Sequence, residues 1–414
     1  MTPTELAARY PTELDALYAF LVAAGVAVVI TPVTMRLARR IGAIDRPRDR
    51  GLSSKETPLL GGLAILVAAV VAGAIWLPHT NPWTGILAAA VLITAIGALD
   101  DRLDFPPWLK LGGQIAAASV AVAAGGVDVS FVTLPFFGHI SFHAAGPTLT
   151  AIFLVALMNV VNFSDGVDGL AAGVCGIVAI AFAVIAFSLH ETEHAGGVLA
   201  AITAGGALGF LVHNFPPASS FMGDAGSNLL GLLMGAIAVE GDLKTSAIVT
   251  LAFPLILLAV PFLDTTFVVL KRLKYRRPVY TADQEHLHHR MARIGYGVRA
   301  TVLFFYAWTL LLAGFAVALR FIHYSNGHGR LHVAGTVLVA VLALIVAAAS
   351  VYLIYVLEIF RGVYLNRLPK PRPDARSPAD AGAQARAPRA DGEAQTPPQH
   401  EGSAPEEPVP RDGF

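Results

Sequence analysis

Charge is scarce in this chain: Asp, Glu, Lys and Arg make up 14% of its 414 residues, against 55% hydrophobic residues. Soluble globular domains carry about 25% charged residues, so that class is excluded and an integral membrane protein is expected. Net charge is missing as well, 29 basic residues balancing 29 acidic ones, and nucleic acid is not expected as a partner. Cysteine is nearly absent. Cys175 stands alone inside an apolar run, which leaves no disulfide framework and no cysteine metal site, only the role of a small packing residue.

What is abundant is the apolar run near the ~20 residues that cross a bilayer as a helix. Such runs fall near 17–35, 59–77, 83–99, 109–125, 147–163, 169–189, 196–213, 226–240, 246–270, 300–320 and 333–358. The expected fold is therefore all-α, a polytopic bundle of about 11 transmembrane helices over residues 1–365. Glu5, Glu13 and Asp15 precede the first run where a cleaved leader would carry basic residues, so the first span is expected to be retained. Residues 127–145 alternate at Val127, Val129 and Phe131, turn at Pro135 to Gly138, and resume at Ile140 and Phe142, which suits a small outer β-hairpin. From 366 to 414 the chain is rich in Pro, Ala, Gly and Glu and poor in large apolar residues, the composition of a disordered tail. Trp76, Trp83 and Trp108 lie near span ends and read as interfacial anchors.

Lysine and arginine orient the bundle, because short loops rich in them stay in the cytoplasm. The loop after the first run holds Arg36, Arg39, Arg40, Arg46, Arg48, Arg50 and Lys55, and the loop after the ninth holds eight basic residues from Lys271 to Arg299. With both loops inside, the N-terminus falls outside and the C-terminus in the cytoplasm, leaving only Arg9, Lys244, Arg320 and Arg330 outside. The same count puts Asp100, Asp165, Asp168 and Asp224 on the cytoplasmic face, although none of them was used to set it.

These aspartates belong to three clusters where the chain leaves the membrane. Asp100, Asp101 and Asp104 sit in DDRLD, where like charges repel unless something positive stands between them. A helical end would put Asp100 and Asp104 on one face. In NVVNFSDGVDGL, Asn162, Asp165 and Asp168 recur every three residues, as one helical face or as a loop. In FMGDAGS, Gly223 and Gly226 flank Asp224 just before an apolar helix, whose first amides could receive an anion. A small set of oxygen donors suits Mg²⁺, with Mn²⁺ as a substitute ion, whereas zinc would want more nitrogen or sulfur. The run from His286 to Arg290 (HLHHR) lies among basic residues and suits phosphate better than a second metal. A lone aspartate at a helix end is commonly a cap or a solvated charge, and that bland reading holds for Asp45, Asp49, Asp104 and Asp283. A transporter is the rival class, but its site would lie at the midplane between repeated halves, and the chain has no internal repeat.

In this order, and preceded by Lys55-Glu56-Thr57-Pro58 and Gly61-Gly62, these motifs resemble the polyprenyl-phosphate N-acetylhexosamine-1-phosphate transferase family over roughly residues 15–365. HLHHR, and Pro106-Pro107-Trp108-Leu109-Lys110 after DDRLD, look more like its WecA-like UDP-GlcNAc branch than its phospho-MurNAc-pentapeptide branch. The resemblance implies a Mg²⁺-dependent transfer of a sugar 1-phosphate from a UDP-N-acetylhexosamine to undecaprenyl or decaprenyl phosphate. UMP would be released, and cell-envelope polysaccharide synthesis would begin there. It implies Asp224, Asp100 and Asp101 at the metal, with Asp100, Asp101, Asp165, Asp168, His288 and His289 as catalytic positions. Asn162, Asn214 and Phe221 would lie near the nucleotide, and Lys55, Lys110, His286 and Arg290 near phosphates and sugar. The donor remains open to another UDP-N-acetylhexosamine, UDP-MurNAc-pentapeptide included. A homodimer is admitted.

Overall fold

Hydrocarbon offers the backbone no water, so each apolar run must satisfy its own N–H and C=O groups, and the helix does this locally. The computed structural model describes residues 11–45, 56–129, 131–134, 138–189, 194–240, 297–322 and 332–365. Within them each expected apolar run is helical: α1 Glu13–Ile41, α2 Gly61–Trp76, α3 Trp83–Leu103, α4 Pro107–Ala123, α5 Gly146–Ser164, α6 Leu170–Phe187, α7 His194–Asn214, α8 Gly223–Glu240, α9 Val298–Phe321 and α10 Val333–Leu365. The run at 246–270 lies outside the described residues. Among the described residues seven helical stretches are long and apolar enough to cross a membrane: α1, α3, α6, α7, α9, the stretch His143–Ser164 that contains α5, and Val333–Tyr352 of α10. The chain is a multi-pass membrane protein. The described residues up to Val363 form one compact unit, and the tail from 366 onward lies outside the described residues.

Helix ends follow local chemistry. Thr12 caps α1 by accepting from the Asp15 amide while Asp15 accepts from the Thr12 amide, and Gly42 closes the helix in the left-handed region at φ 80°. Pro107 opens α4, where a missing N–H costs nothing.

The bundle is built around α7 and α8. Helix α8 packs against α2, α3, α5 and α7, and α7 packs against α1, α2 and α6. Small residues allow this closeness: a Cβ on Gly205 or Gly209 of α7 would strike the backbone of α1 at Phe20 or Ala24. Cys175 is buried in α6, as expected of a packing residue. Outward faces remain apolar, with Leu14, Leu17, Leu21, Val337 and Leu344 exposed, as a lipid-facing surface requires. Trp83 departs from the anchor reading, being 8% exposed and packed in the core at the start of α3. Trp108 is exposed.

Two antiparallel ribbons complete the described residues. The expected hairpin is present as β3 Phe131–Leu134 and β4 Gly138–Ser141, paired from Phe131 with Ser141 to Leu134 with Gly138. The other ribbon, β1 Ile44–Asp45 with β2 Thr57–Pro58, escaped the sequence reading because two-residue strands show no period. It matters for the site, since the Phe221 amide donates to the Pro58 carbonyl (2.9 Å) and the Gly61 and Gly62 amides donate to the carbonyls of Phe221 and Met222 (3.0 Å each). The segment before α2 is thereby tied to the segment that opens α8.

Candidate active site

Aspartates far apart in sequence meet at one end of the bundle because α3 ends, α5 ends and α8 begins there. Asp100, in the last turn of α3, is 5% exposed. Its Oδ1 accepts from the Phe105 amide (2.7 Å), and its Oδ2 lies 2.8 Å from Lys110 Nζ. The same ammonium donates to Asp224 Oδ2 at 2.9 Å. Lys110 is thus the positive charge that the carboxylate cluster requires. Asn162, in the last turn of α5, donates from Nδ2 to Asp224 Oδ1 (2.7 Å) and to Ser227 Oγ (2.9 Å). Both Asp224 oxygens are therefore held from different helices.

Asp101 plays a different part. Its Oδ1 accepts from the Asp224 amide (2.7 Å) and its Oδ2 from the Ala225 amide (3.2 Å), so it caps α8 from a neighbouring helix. The anion at this helix N-terminus is supplied by the protein itself. Gly223, at φ 67°, leaves room for this contact, since a Cβ there would strike the Asp101 carboxylate. Asp104 does not share a helical face with Asp100: α3 stops at Leu103, and Asp104 turns left-handed at φ 52° and is exposed.

Asn162, Asp165 and Asp168 do not form one helical row. Helix α5 ends at Ser164, Asp165 is its C-cap, and Gly169 at φ 75° precedes α6, so the two aspartates lie on a loop. Only Asn162 of the three stands on the helix. Asp165 is half-buried. Withdrawal from water, followed by the fields of Asp101, Asp224 and Asp168, pushes its carboxyl well above the usual range. Asp168 Oδ2 accepts from the Ala218 amide at 2.9 Å. Asn214 is buried, with Oδ1 accepting from the Gly169 amide and Nδ2 donating to the Ser220 carbonyl, both at 2.9 Å. Its side-chain amide thus ties together the loop before α6 and the loop before α8. Phe221 is half-buried beside them. Lys55, His286, His288, His289 and Arg290 lie outside the described residues.

Sequence reasoning missed Ser227, which accepts from Asn162, and the buried amides Gln114 and Asn228 one turn below the site. Their signal was available: polar side chains in apolar helices are costly unless paired. Among the described residues no group of three His, Cys, Asp or Glu is disposed to hold a metal ion. The donor chemistry nevertheless fits a hard cation of the Mg²⁺ type, which typically takes one or two carboxylates. One oxygen each of Asp100 and Asp224 already converges on a cationic group.

Comparison with known proteins identifies the family. The profile of glycosyl transferase family 4 matches residues 83–242, from the start of α3 to the end of α8. The chain is 33% identical over 306 residues to a Bacillus subtilis protein named probable undecaprenyl-phosphate N-acetylglucosaminyl 1-phosphate transferase, covering 73% of this chain and 84% of that one. It is 37% identical over 307 residues to the decaprenyl-phosphate N-acetylglucosaminephosphotransferase of Mycolicibacterium smegmatis, covering 67% and 75%. It is 33% identical over 319 residues to the phospho-N-acetylmuramoyl-pentapeptide-transferase of Moorella thermoacetica, covering 72% and 97%. With the matched span running through the converging carboxylates, the chain belongs to glycosyl transferase family 4.

Proposed function

We propose that the protein transfers GlcNAc-1-phosphate from UDP-GlcNAc to a polyprenyl phosphate at the cytoplasmic face of the plasma membrane, giving polyprenyl-diphosphate-GlcNAc and UMP. The observation that carries this reading is the convergence of Asp100, Lys110, Asn162 and Asp224 at one end of a membrane bundle. The names of relatives that act on undecaprenyl or decaprenyl phosphate support it. An oxygen of the lipid phosphate attacks the β-phosphorus of the sugar nucleotide, the bond from that phosphorus to the UMP oxygen breaks, and UMP leaves. The two substrates are both anions, one confined to lipid and one soluble, so the site belongs at an interface and needs positive charge.

Asp100 and Asp224 would hold Mg²⁺, which when bound polarises a diphosphate and offsets charge developing at phosphorus. Lys110 brings a fixed positive charge to the same point. Asn162 holds Asp224 in place, and Asp101 holds the first turn of α8 that carries it. Direct attack is preferred to an aspartyl-phosphate intermediate, because carboxylates shared among a cation and amides are poor nucleophiles.

The test is a purified-protein assay with undecaprenyl phosphate and several UDP-sugars, following nucleotide release. UMP formation, preference for UDP-GlcNAc and loss of turnover in excess chelator are expected. Release of UDP, or full rate without divalent ions, would overturn the reading. Preference for UDP-MurNAc-pentapeptide would move the chain to the other named group of relatives.

A further inference from the structure

Beneath the carboxylate cluster, α4, α5 and α8 are joined a second time, by neutral groups. One turn deeper than Lys110 on α4 lies Gln114, one turn deeper than Asp224 on α8 lies Asn228, and one turn deeper than Asn162 on α5 lies Asn159. These three amides bond to one another. Asn159 Nδ2 donates to Gln114 Oε1 (2.7 Å), Gln114 Nε2 donates to Asn228 Oδ1 (2.8 Å), and Asn228 Nδ2 donates to the Asp224 carbonyl (2.8 Å). Gln114 and Asn228 are 5% and 6% exposed, so water does not replace these bonds.

We infer that Gln114 is a positioning residue, the hub of a buried amide layer that sets the rotational register of α4, α5 and α8 and so aims Lys110 and Asn162 at the two oxygens of Asp224. Apolar contact alone tolerates sliding and rotation, because one aliphatic side chain replaces another at little cost. A one-residue slip rotates a helix by about 100° relative to its neighbours. Directional bonds between buried amides forbid that slip, since an unpaired amide in a dry interior is strongly unfavourable. Gln114 alone engages both neighbours, accepting from α5 and donating to α8. The site above joins the same three helices through α8 instead, Lys110 reaching one oxygen of Asp224 and Asn162 the other.

This inference rests on the transferase reading, and its test separates the two. Gln114→Met and the double variant Gln114→Met with Asn228→Leu would be purified whole in detergent beside the unchanged protein. UDP-GlcNAc would be titrated at saturating undecaprenyl phosphate and Mg²⁺. The double variant removes donor and acceptor together, which lowers the folding cost of a lone unpaired amide, and Asn159 keeps the Val155 carbonyl at 2.8 Å. The expected result is monodisperse protein with kcat lowered by about tenfold or more, the scale of lost support for a reacting group. KM for UDP-GlcNAc should stay within about twofold, the pattern of a defect in the reacting geometry rather than in uniform binding. An unchanged kcat in either folded variant would overturn the inference, as would a rise in KM alone. Failure of both variants to fold would assign the layer to bundle assembly and overturn it too. An unchanged protein without turnover would bring down the transferase reading, and the inference with it.

Discussion

Asp101 grips the backbone of Asp224: its carboxylate accepts from the Asp224 amide at 2.7 Å and from the following amide at 3.2 Å. A residue on α3 thus serves as the cap of α8, and the two aspartates that the family resemblance puts together at the metal do different work. Asp224 offers its carboxylate to Lys110 and Asn162. Asp101 spends its own on holding Asp224 in place.

Asp224→Asn should therefore lower turnover by about a hundredfold or more, the scale seen when a group stabilising transition-state charge is removed, while the protein still inserts and purifies. UMP release together with size-exclusion chromatography is the measurement. Near-normal turnover would reduce Asp224 to a helix-start residue.

Asp101→Ala should lose stability and activity together. Removing a capping acceptor costs about 0.5–2 kcal/mol, and the freed first turn of α8 carries Asp224. The apparent unfolding temperature in detergent should fall, and Asp101→Asn, which keeps one acceptor oxygen, should fall less. Equal stability in all three proteins would show that the cap contributes nothing.

Gly97 and Gly112 form a matched pair for helix packing. A Cβ on Gly97 would lie 2.5 Å from Ala225 Cα and N, so Gly97→Ala must push α3 away from α8, whereas a Cβ on Gly112 would meet nothing within 4 Å. Overpacking of this kind costs about 1–3 kcal/mol, and Gly112→Ala should be neutral or stabilise by up to about 1 kcal/mol through helix propensity. Thermal unfolding of the two variants in the same detergent compares them, and Gly97→Ala should also lose turnover because Asp100 and Asp101 move with α3.

Thr80 and Asp104 are exposed positions at opposite ends of α3. In a Cys175→Ala background, a cysteine replacing Thr80 should react with an impermeant thiol reagent in intact cells, and one replacing Asp104 should react only after lysis. The opposite labelling would turn the carboxylate cluster outward and contradict the orientation read from the basic loops.

The course of the described helices follows from amino-acid order alone. Apolar runs at 59–77, 83–99 and 147–163 became α2, α3 and α5 because a chain in lipid must satisfy its backbone locally, which ties length and hydropathy directly to structure. The hairpin at Phe131–Ser141 was legible through its period of two. Asp100, Asp224 and Asn162 stood out in the sequence as candidates because polar groups at the ends of apolar runs have few inexpensive roles, and the structure brings them together. Tertiary structure alone decided the pairings: Lys110 between Asp100 and Asp224, Asp101 on the amides of α8, Asn214 turned inward, Gln114 joining Asn159 to Asn228. Each of the bonds among these residues joins positions between 45 and 124 apart, apart from the Lys110 contact with Asp100. Such bonds depend on how each helix is rotated against its neighbours. Apolar periodicity defines that rotation only loosely, because lipid and helix interior are both apolar, and the close packing of small residues in three dimensions settles it.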